Sequence, residues 1–514
     1  MRAGPLLATI LLAAAGCARP VSTVTSAAAP AEGCEVLAAL RLPDLRITSA
    51  ASVAAQPAFV PAAGERPIAV TKPFCRVQGI IETEIGFELW LPEPGDWNGK
   101  MLGAGVGGDA GAFNFRDLPR GVARGYASAT TDTGHKAADT TWMLGDPARL
   151  KNFELRAHHR LAEVSKAVIA ARYGQAPRYS YFIGCSGGGR QGLKEMQRFP
   201  GDYDGIIAGA PGPDTPGMTA RRMWEILARD AHPGLMSRED WRLVAEEGVR
   251  TCDAADGVTD GVAEDPRQCR FDPAALACGP GRAGRCLSPQ QVAFARSLYA
   301  PLHDERGVKI DDGLLPGVVV DSGRSRLAPA TFGQAIRRRA DWDGRDFSLA
   351  ADLPAINRVM PELRADQTDL TPFKRRGGKA ILYQGWMDPA VAGLMTLGYY
   401  EAVTKRMGGE AATRDFIRLY MAPGVFHCAG GPGPDQFGGS GGDAPVVDPQ
   451  HDLLSALEAW VEQGKPPERI VASKVEAGRV VRTRPLCPAP EVARYKGSGS
   501  TDDAANFTCV RPGA

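Results

Sequence analysis

The chain has 514 residues, 44% of them hydrophobic, enough for a large buried core and more than one domain. Lys and Arg number 60 against 59 Asp and Glu, so charge gives no reason to expect nucleic acid or an anionic membrane surface as the main partner. The 61 Gly and 40 Pro favour loops and tight turns over long helices, and the sequence has no internal repeat.

In chain order, Arg2 and the apolar run Leu6 to Ala15 read as an export signal too short to cross a bilayer stably. The signal ends in Ala14-Ala15-Gly16-Cys17, a pattern similar to a bacterial lipoprotein signal, which makes Cys17 a candidate for lipidation. The expected location is therefore outside the cytoplasm: periplasmic, anchored to the outer membrane through that lipid, or secreted. Residues 18–30 are small and polar, as in a tether, and no later stretch is apolar enough for a transmembrane helix. Short strands are predicted over Phe87 to Pro92, Lys100 to Gly105 and Tyr126 to Asp132. Apolar residues at three- and four-residue spacing predict one long helix over Leu150 to Gly174. A strand over Tyr179 to Gly184, a Gly-rich turn and a helix from near Gly189 follow, then a buried strand over Asp204 to Pro211. Strands over Lys379 to Trp386 and Asp415 to Gly424 and a helix over Leu453 to Gly464 complete the pattern. This alternation predicts an α/β fold with a mainly parallel central sheet. Between Gly212 and Thr371 the alternation stops, which suggests a large inserted lid. The expected division is a signal at 1–17, a catalytic domain from 18–211 and 372–514, and a lid domain at 212–371.

Gly184-Cys185-Ser186-Gly187-Gly188 matches G-x-S-x-G between a predicted strand and a predicted helix, the setting of a nucleophile elbow. Such a turn exposes the Ser186 hydroxyl at the carboxyl end of the sheet. The acid and base of an α/β-hydrolase follow the serine in the order Asp, His. Asp388 comes directly after the strand ending at Trp386, and His427 follows the next strand. In this scheme His427 takes the Ser186 proton and Asp388 fixes the imidazole. Gly103, Gly105 and Gly108 also fit the dinucleotide fingerprint G-x-G-x-x-G. Export argues against a nicotinamide cofactor, and an oxyanion loop fits the same place. Gly107 or Gly108 would donate a backbone N–H there, together with Gly187.

Apart from Cys17, ten cysteines remain, and without C-x-x-C spacing they favour disulfides over zinc. Asp253, Asp256 and Asp260 lie close together on a Gly-containing loop whose hard oxygens suit Ca²⁺, though the spacing is not that of an EF-hand. Arg337-Arg338-Arg339 reads as a charged turn of the lid rather than a substrate carboxylate site.

Cysteines next to the candidate serine and histidine, in Cys185-Ser186 and His427-Cys428, resemble the tannase and feruloyl esterase family. The stretches WNGKMLGAGVGG, YFIGCSGGGRQGL, GDYDGIIAGAPG and TPFKRRGGKAILYQGWMDPAV carry the same resemblance. It spreads over nearly all of the mature chain and extends to mono(hydroxyethyl) terephthalate hydrolases. It implies an α/β-hydrolase fold and the pairings Cys34–Cys75, Cys185–Cys428, Cys252–Cys269, Cys278–Cys286 and Cys487–Cys509. It also implies a structural Ca²⁺ in the lid, held by Asp253, Asp256 and Asp260 side chains and by the carbonyls of Val258 and Val262. The implied activity is hydrolysis of small aromatic esters, galloyl, feruloyl or related, through an acyl-enzyme on Ser186. Gln384, where the family often has His, departs from the pattern without a required part in the triad. Gly187 departs too, because some terephthalate-monoester hydrolases of the family carry an acidic residue there. The rival readings are a non-catalytic, calcium-stabilised surface lipoprotein and a serine peptidase of the same fold. The sequence does not address oligomeric state.

Overall fold

The computed structural model describes residue 1 and residues 33–280, 284–320 and 325–512. The expected signal and Cys17 lie outside the described residues. Nine strands form one sheet: β1 (Leu45–Val53), β2 (Phe74–Ile81), β3 (Ile85–Pro92), β4 (Lys100–Ala104), β5 (Ala127–Thr131), β6 (Tyr179–Cys185), β7 (Gly205–Gly209), β8 (Lys379–Gly385) and β9 (Ile417–Ala422). Their spatial order is β1-β2-β3-β5-β4-β6-β7-β8-β9. The six strands from β5 to β9 in that order run parallel, and β1, β2 and β3 add an antiparallel edge.

The parallel strands are apolar on both faces because both are covered. Along β6, Phe182 points into the core beneath helices α1 (Ala157–Tyr173) and α2 (Gly187–Arg198). Its neighbours Tyr181 and Ile183 point to the opposite face, under helix Leu453–Gln463. The same alternation places Leu382 of β8 on the first face and Ile381 and Tyr383 on the second. The predicted long helix over Leu150 to Gly174 is interrupted: residues Asn152–Arg156 are wound as a wider π-turn between Pro147–Lys151 and α1. The cause is a contact from outside the segment. Arg190 of α2 reaches across and donates to the carbonyls of Phe153 and Glu154, at 3.0 and 2.7 Å.

Among the described residues, no strand from 212–371 joins the sheet. That segment is built mainly from helices, including α3 (Thr215–Asp230) and α4 (Arg238–Cys252). Its core mixes Ala220, Met223 and Phe332 with Trp142 and Phe153, so it packs directly on the residues that precede α1. All five expected disulfides are formed, two of them, Cys252–Cys269 and Cys278–Cys286, within this segment. Among the described residues no helix is long and apolar enough to cross a membrane.

Candidate active site

Ser186 sits between β6 and α2 with φ 60° and ψ −124°, a conformation costly for a residue with a Cβ. Two glycines make the turn possible. A Cβ on Gly184 would lie 2.5 Å from the Gly188 carbonyl, and one on Gly189 would lie 2.1 Å from the Gly209 oxygen. Helix α2 therefore starts at Gly187, two residues earlier than the sequence suggested, and its first N–H groups point back at the turn.

The loop after β4 presses against this helix start. A Cβ on Gly187 would come within 3.0 Å of the Val106 oxygen and 3.2 Å of the Gly108 oxygen. Gln191 holds the loop by accepting the Val106 N–H at 2.9 Å, and Asn114 donates to the Gly105 carbonyl at 2.7 Å. The N–H groups of Gly107, Gly108 and Gly187 make no hydrogen bond to another described residue. They are the donors expected of an oxyanion site, next to the serine.

Asp388 is fully buried beyond the end of β8. Its Oδ1 accepts the N–H groups of Ala390 and Val391 at 2.7 and 2.9 Å. Its Oδ2 lies 2.8 Å from His427 Nδ1 and accepts from Gln384 Nε2 at 3.1 Å. A carboxylate facing Nδ1 favours the tautomer with the proton on that nitrogen, leaving Nε2 as the free base. Cys185 and Cys428 join the two halves of the site, with Cα atoms 6.0 Å apart. Ser186 and His427 make no hydrogen bond to each other; in hydrolases this contact often tightens only around a bound substrate.

Gln384, for which the sequence suggested no part, is fully buried and orients Asp388. Its other contacts fix its own amide: Oε1 accepts from Thr396 Oγ1 at 2.7 Å and Nε2 donates to the Val391 carbonyl at 3.0 Å. Its place four residues before the acid was the available signal.

Ser186 and Gly187 open on a cavity of about 260 Å³ whose apolar wall includes Phe153, Met218 of α3 and Leu327. Arg190 also borders it; burial lowers its pKa to about 10, partly offset by Glu154. Burial pushes the Glu154 carboxyl up to about 7, with Arg190 opposing. This buried pair had no signature in the sequence. The triplet Arg337-Arg338-Arg339 lies elsewhere. Arg337 pairs with Asp346 and Asp352, Arg338 donates to the Met143 carbonyl, and Arg339 pairs with Asp341.

In the acidic loop, Asp253 accepts the N–H groups of Asp260 and Gly261, and Asp256 those of Val258 and Glu264. Asp260 accepts from Val262 and pairs with Arg484. Glu264 is buried with one carboxylate oxygen lacking a hydrogen-bond partner. Among the described residues no three His, Cys, Asp or Glu side chains converge in a way that could hold a metal ion.

A serine on a strand–helix turn, a buried acid–imidazole pair and free backbone donors on a mainly parallel sheet are the arrangement of a serine hydrolase of α/β-hydrolase architecture. The sequence profile described as tannase and feruloyl esterase matches residues 69–324 and 341–510, and the chain belongs to that family. It is 36% identical to an uncharacterized esterase of Xanthomonas campestris pv. campestris, over 95% of this chain and 93% of that one. It is 32% identical to the mono(2-hydroxyethyl) terephthalate hydrolase of Piscinibacter sakaiensis, over 85% of each chain. The crystal structure of feruloyl esterase B from Aspergillus oryzae superposes with a TM-score of 0.86 at 28% identity, covering 93% of this chain and all of that one.

Proposed function

We propose that the protein hydrolyses small esters of aromatic carboxylic acids by a two-step reaction on Ser186. His427 Nε2 takes the hydroxyl proton as Ser186 Oγ attacks the ester carbonyl. The oxyanion is held by N–H groups of Gly187 and of Gly107 or Gly108. Collapse of the tetrahedral intermediate breaks the bond to the leaving alkoxide, which receives the proton from His427. Water then attacks the acyl-enzyme by the same route in reverse, releasing the carboxylic acid and restoring Ser186. Asp388 stabilises the imidazolium in both steps. The observation that carries this reading is the Asp388–His427 pair, covalently tied through Cys428 and Cys185 to the residue beside Ser186. The aromatic acyl group is supported by the names of the relatives and by an apolar cavity at Ser186 sized for one ring.

The same reading makes 212–371 the substrate lid and the acidic loop its calcium site. Asp253, Asp256 and Asp260 would bind the ion with the Val258 and Val262 carbonyls. Their donor chemistry fits, since all are hard oxygens on one short loop, although Arg484 already pairs with Asp260 and approaches Glu264. Bound there, Ca²⁺ would neutralise the loop and pin the lid. The five disulfides support an oxidising compartment and hence export.

Initial rates on methyl gallate, methyl ferulate, methyl p-coumarate, mono(hydroxyethyl) terephthalate and p-nitrophenyl acetate test the proposal. Ser186→Ala should lower kcat by about 10⁴-fold or more on each ester that is turned over. Wild-type rates in that variant would remove Ser186 as the nucleophile.

A further inference from the structure

Helix α3 carries a side chain that ends on the turn holding Asp388. Arg222, largely buried, donates from Nη2 to the Pro389 carbonyl at 2.9 Å and from Nη1 to Glu225 Oε2 at 2.9 Å. Pro389 directly follows Asp388. Its carbonyl belongs to the same peptide unit as the Ala390 N–H, which donates to Asp388 Oδ1 at 2.7 Å. That unit is trans and planar, so its C=O and N–H point in opposite directions, and fixing one fixes the other. A guanidinium on the carbonyl also polarises the amide and strengthens its N–H as a donor. A single line of contacts thus runs from Glu225 through Arg222 and the Pro389–Ala390 peptide to Asp388, whose other oxygen faces His427.

The far end of this line is anchored within 212–371. Glu225 is buried and also accepts from Arg221 Nε at 3.0 Å, with Arg229 3.6 Å away. Arg221 in turn pairs with Asp311 at 2.6 Å. The turn after Asp388 is therefore clamped from a segment that is not part of the sheet. Met218 lies one helical turn before Arg222 on the same face of α3, and both border the cavity at Ser186 together with Ala390 and Val391. One helix supplies both a wall of that cavity and the hold on the acid.

We propose that Arg222 is a positioning residue of the hydrolysis, acting through the Pro389–Ala390 peptide to set Asp388 and, through it, the imidazole of His427. The proposal rests on the ester-hydrolase reading above. Without Arg222, Asp388 still has Val391 and Gln384 as donors, so the carboxylate stays in place while its aim at Nδ1 relaxes. The effect is accordingly smaller than that of removing the acid. Glu225 keeps Arg221 as its partner, so Arg222→Met is expected to fold.

The test assays Arg222→Met on p-nitrophenyl acetate and p-nitrophenyl ferulate, which share a leaving group and differ in whether the acyl group fills the cavity. Because Asp388 serves every ester alike, kcat/KM should fall by about tenfold on both. In the Asp388→Ala background the same substitution should change kcat/KM by less than about twofold, since the group it acts through is gone. A fall confined to the ferulate would make Arg222 only a wall of the cavity, and an equal fall in both backgrounds would make its effect independent of Asp388. Either result overturns the proposal, as does an unchanged kcat/KM in folded Arg222→Met, with folding read by circular dichroism. If Arg222→Met does not fold, Arg222→Lys takes the same measurements and the same outcomes decide. It keeps a cation beside Glu225 but not the fork that also reaches the carbonyl, and a fall of about threefold on both esters is expected. Loss of p-nitrophenyl acetate hydrolysis in Ser186→Ala reports separately on the ester-hydrolase reading.

Discussion

Removing the Cys185–Cys428 bond in the double variant Cys185→Ala/Cys428→Ala probes what that bond does for the site. The two cysteines are 243 residues apart, so the reduced chain gains the conformational freedom of a very long loop. On the chain-entropy view this is worth about 5 kcal/mol, somewhat less because Cys252–Cys269 and Cys278–Cys286 already shorten the loop. For a protein of this size the melting temperature should fall by roughly 5 °C. A second effect is local. Ser186 and Cys428 both sit at positive φ, 60° and 66°, and the crosslink holds these two unfavourable turns against each other. Without it His427 is positioned only by its hydrogen bond to Asp388, and its distance from Ser186 becomes variable. Misplacement of about 1 Å is enough to lower kcat by roughly 100-fold. Differential scanning calorimetry and stopped-flow acylation with p-nitrophenyl acetate, run well below the new melting temperature, separate the two effects. A kcat within about twofold of wild type alongside the expected thermal loss would refute the positioning role and leave a purely structural crosslink.

Gln384→Leu strips Asp388 of one donor and leaves Thr396 and the Val391 carbonyl unpaired in the core. It should cost about 1–3 kcal/mol in urea unfolding, with a lower kcat, and an unchanged midpoint would show the network to be idle. Glu154 has its folded pKa raised to about 7 from an ordinary 4.5, so its contribution is fully present below about pH 4.5 and is lost as pH rises through 7. Wild type should lose on the order of 2–3 kcal/mol relative to Glu154→Gln between pH 4.5 and pH 8. Parallel stability curves for the two proteins would contradict that burial effect. Calcium should raise the melting temperature of chelator-treated protein, and Asp256→Ala/Asp260→Ala should abolish the rise. No shift in wild type at millimolar calcium, with no ion detected by calorimetry, would remove the metal site.

The parallel half of the sheet and its turns were legible because their signals are local. Strand β6 is a continuous apolar run, glycines stand on both sides of Ser186, and Asp388 and His427 each follow a strand end. The antiparallel edge was not foreseen: β1 is half exposed along its length, with no clean alternation to mark it. The π-turn at Asn152–Arg156 was equally hidden, since it depends on Arg190 arriving from a different helix. Gln384 looked like an ordinary polar residue because its role depends on β8 carrying it to Asp388 at full burial.

Arg484, almost wholly buried in a hairpin near the end of the chain, closes on Asp260 and approaches Glu264 in the acidic loop more than 200 residues earlier. During synthesis or passage through a membrane, that loop therefore emerges long before the side chain that completes it. The helices of 212–371 can form as they appear, but their acidic corner waits for the C-terminal hairpin, just as Cys185 waits for Cys428. A chain cut before that hairpin would keep the packing of 212–371 on Trp142 and Phe153 but leave Asp260 and Glu264 without their buried partner.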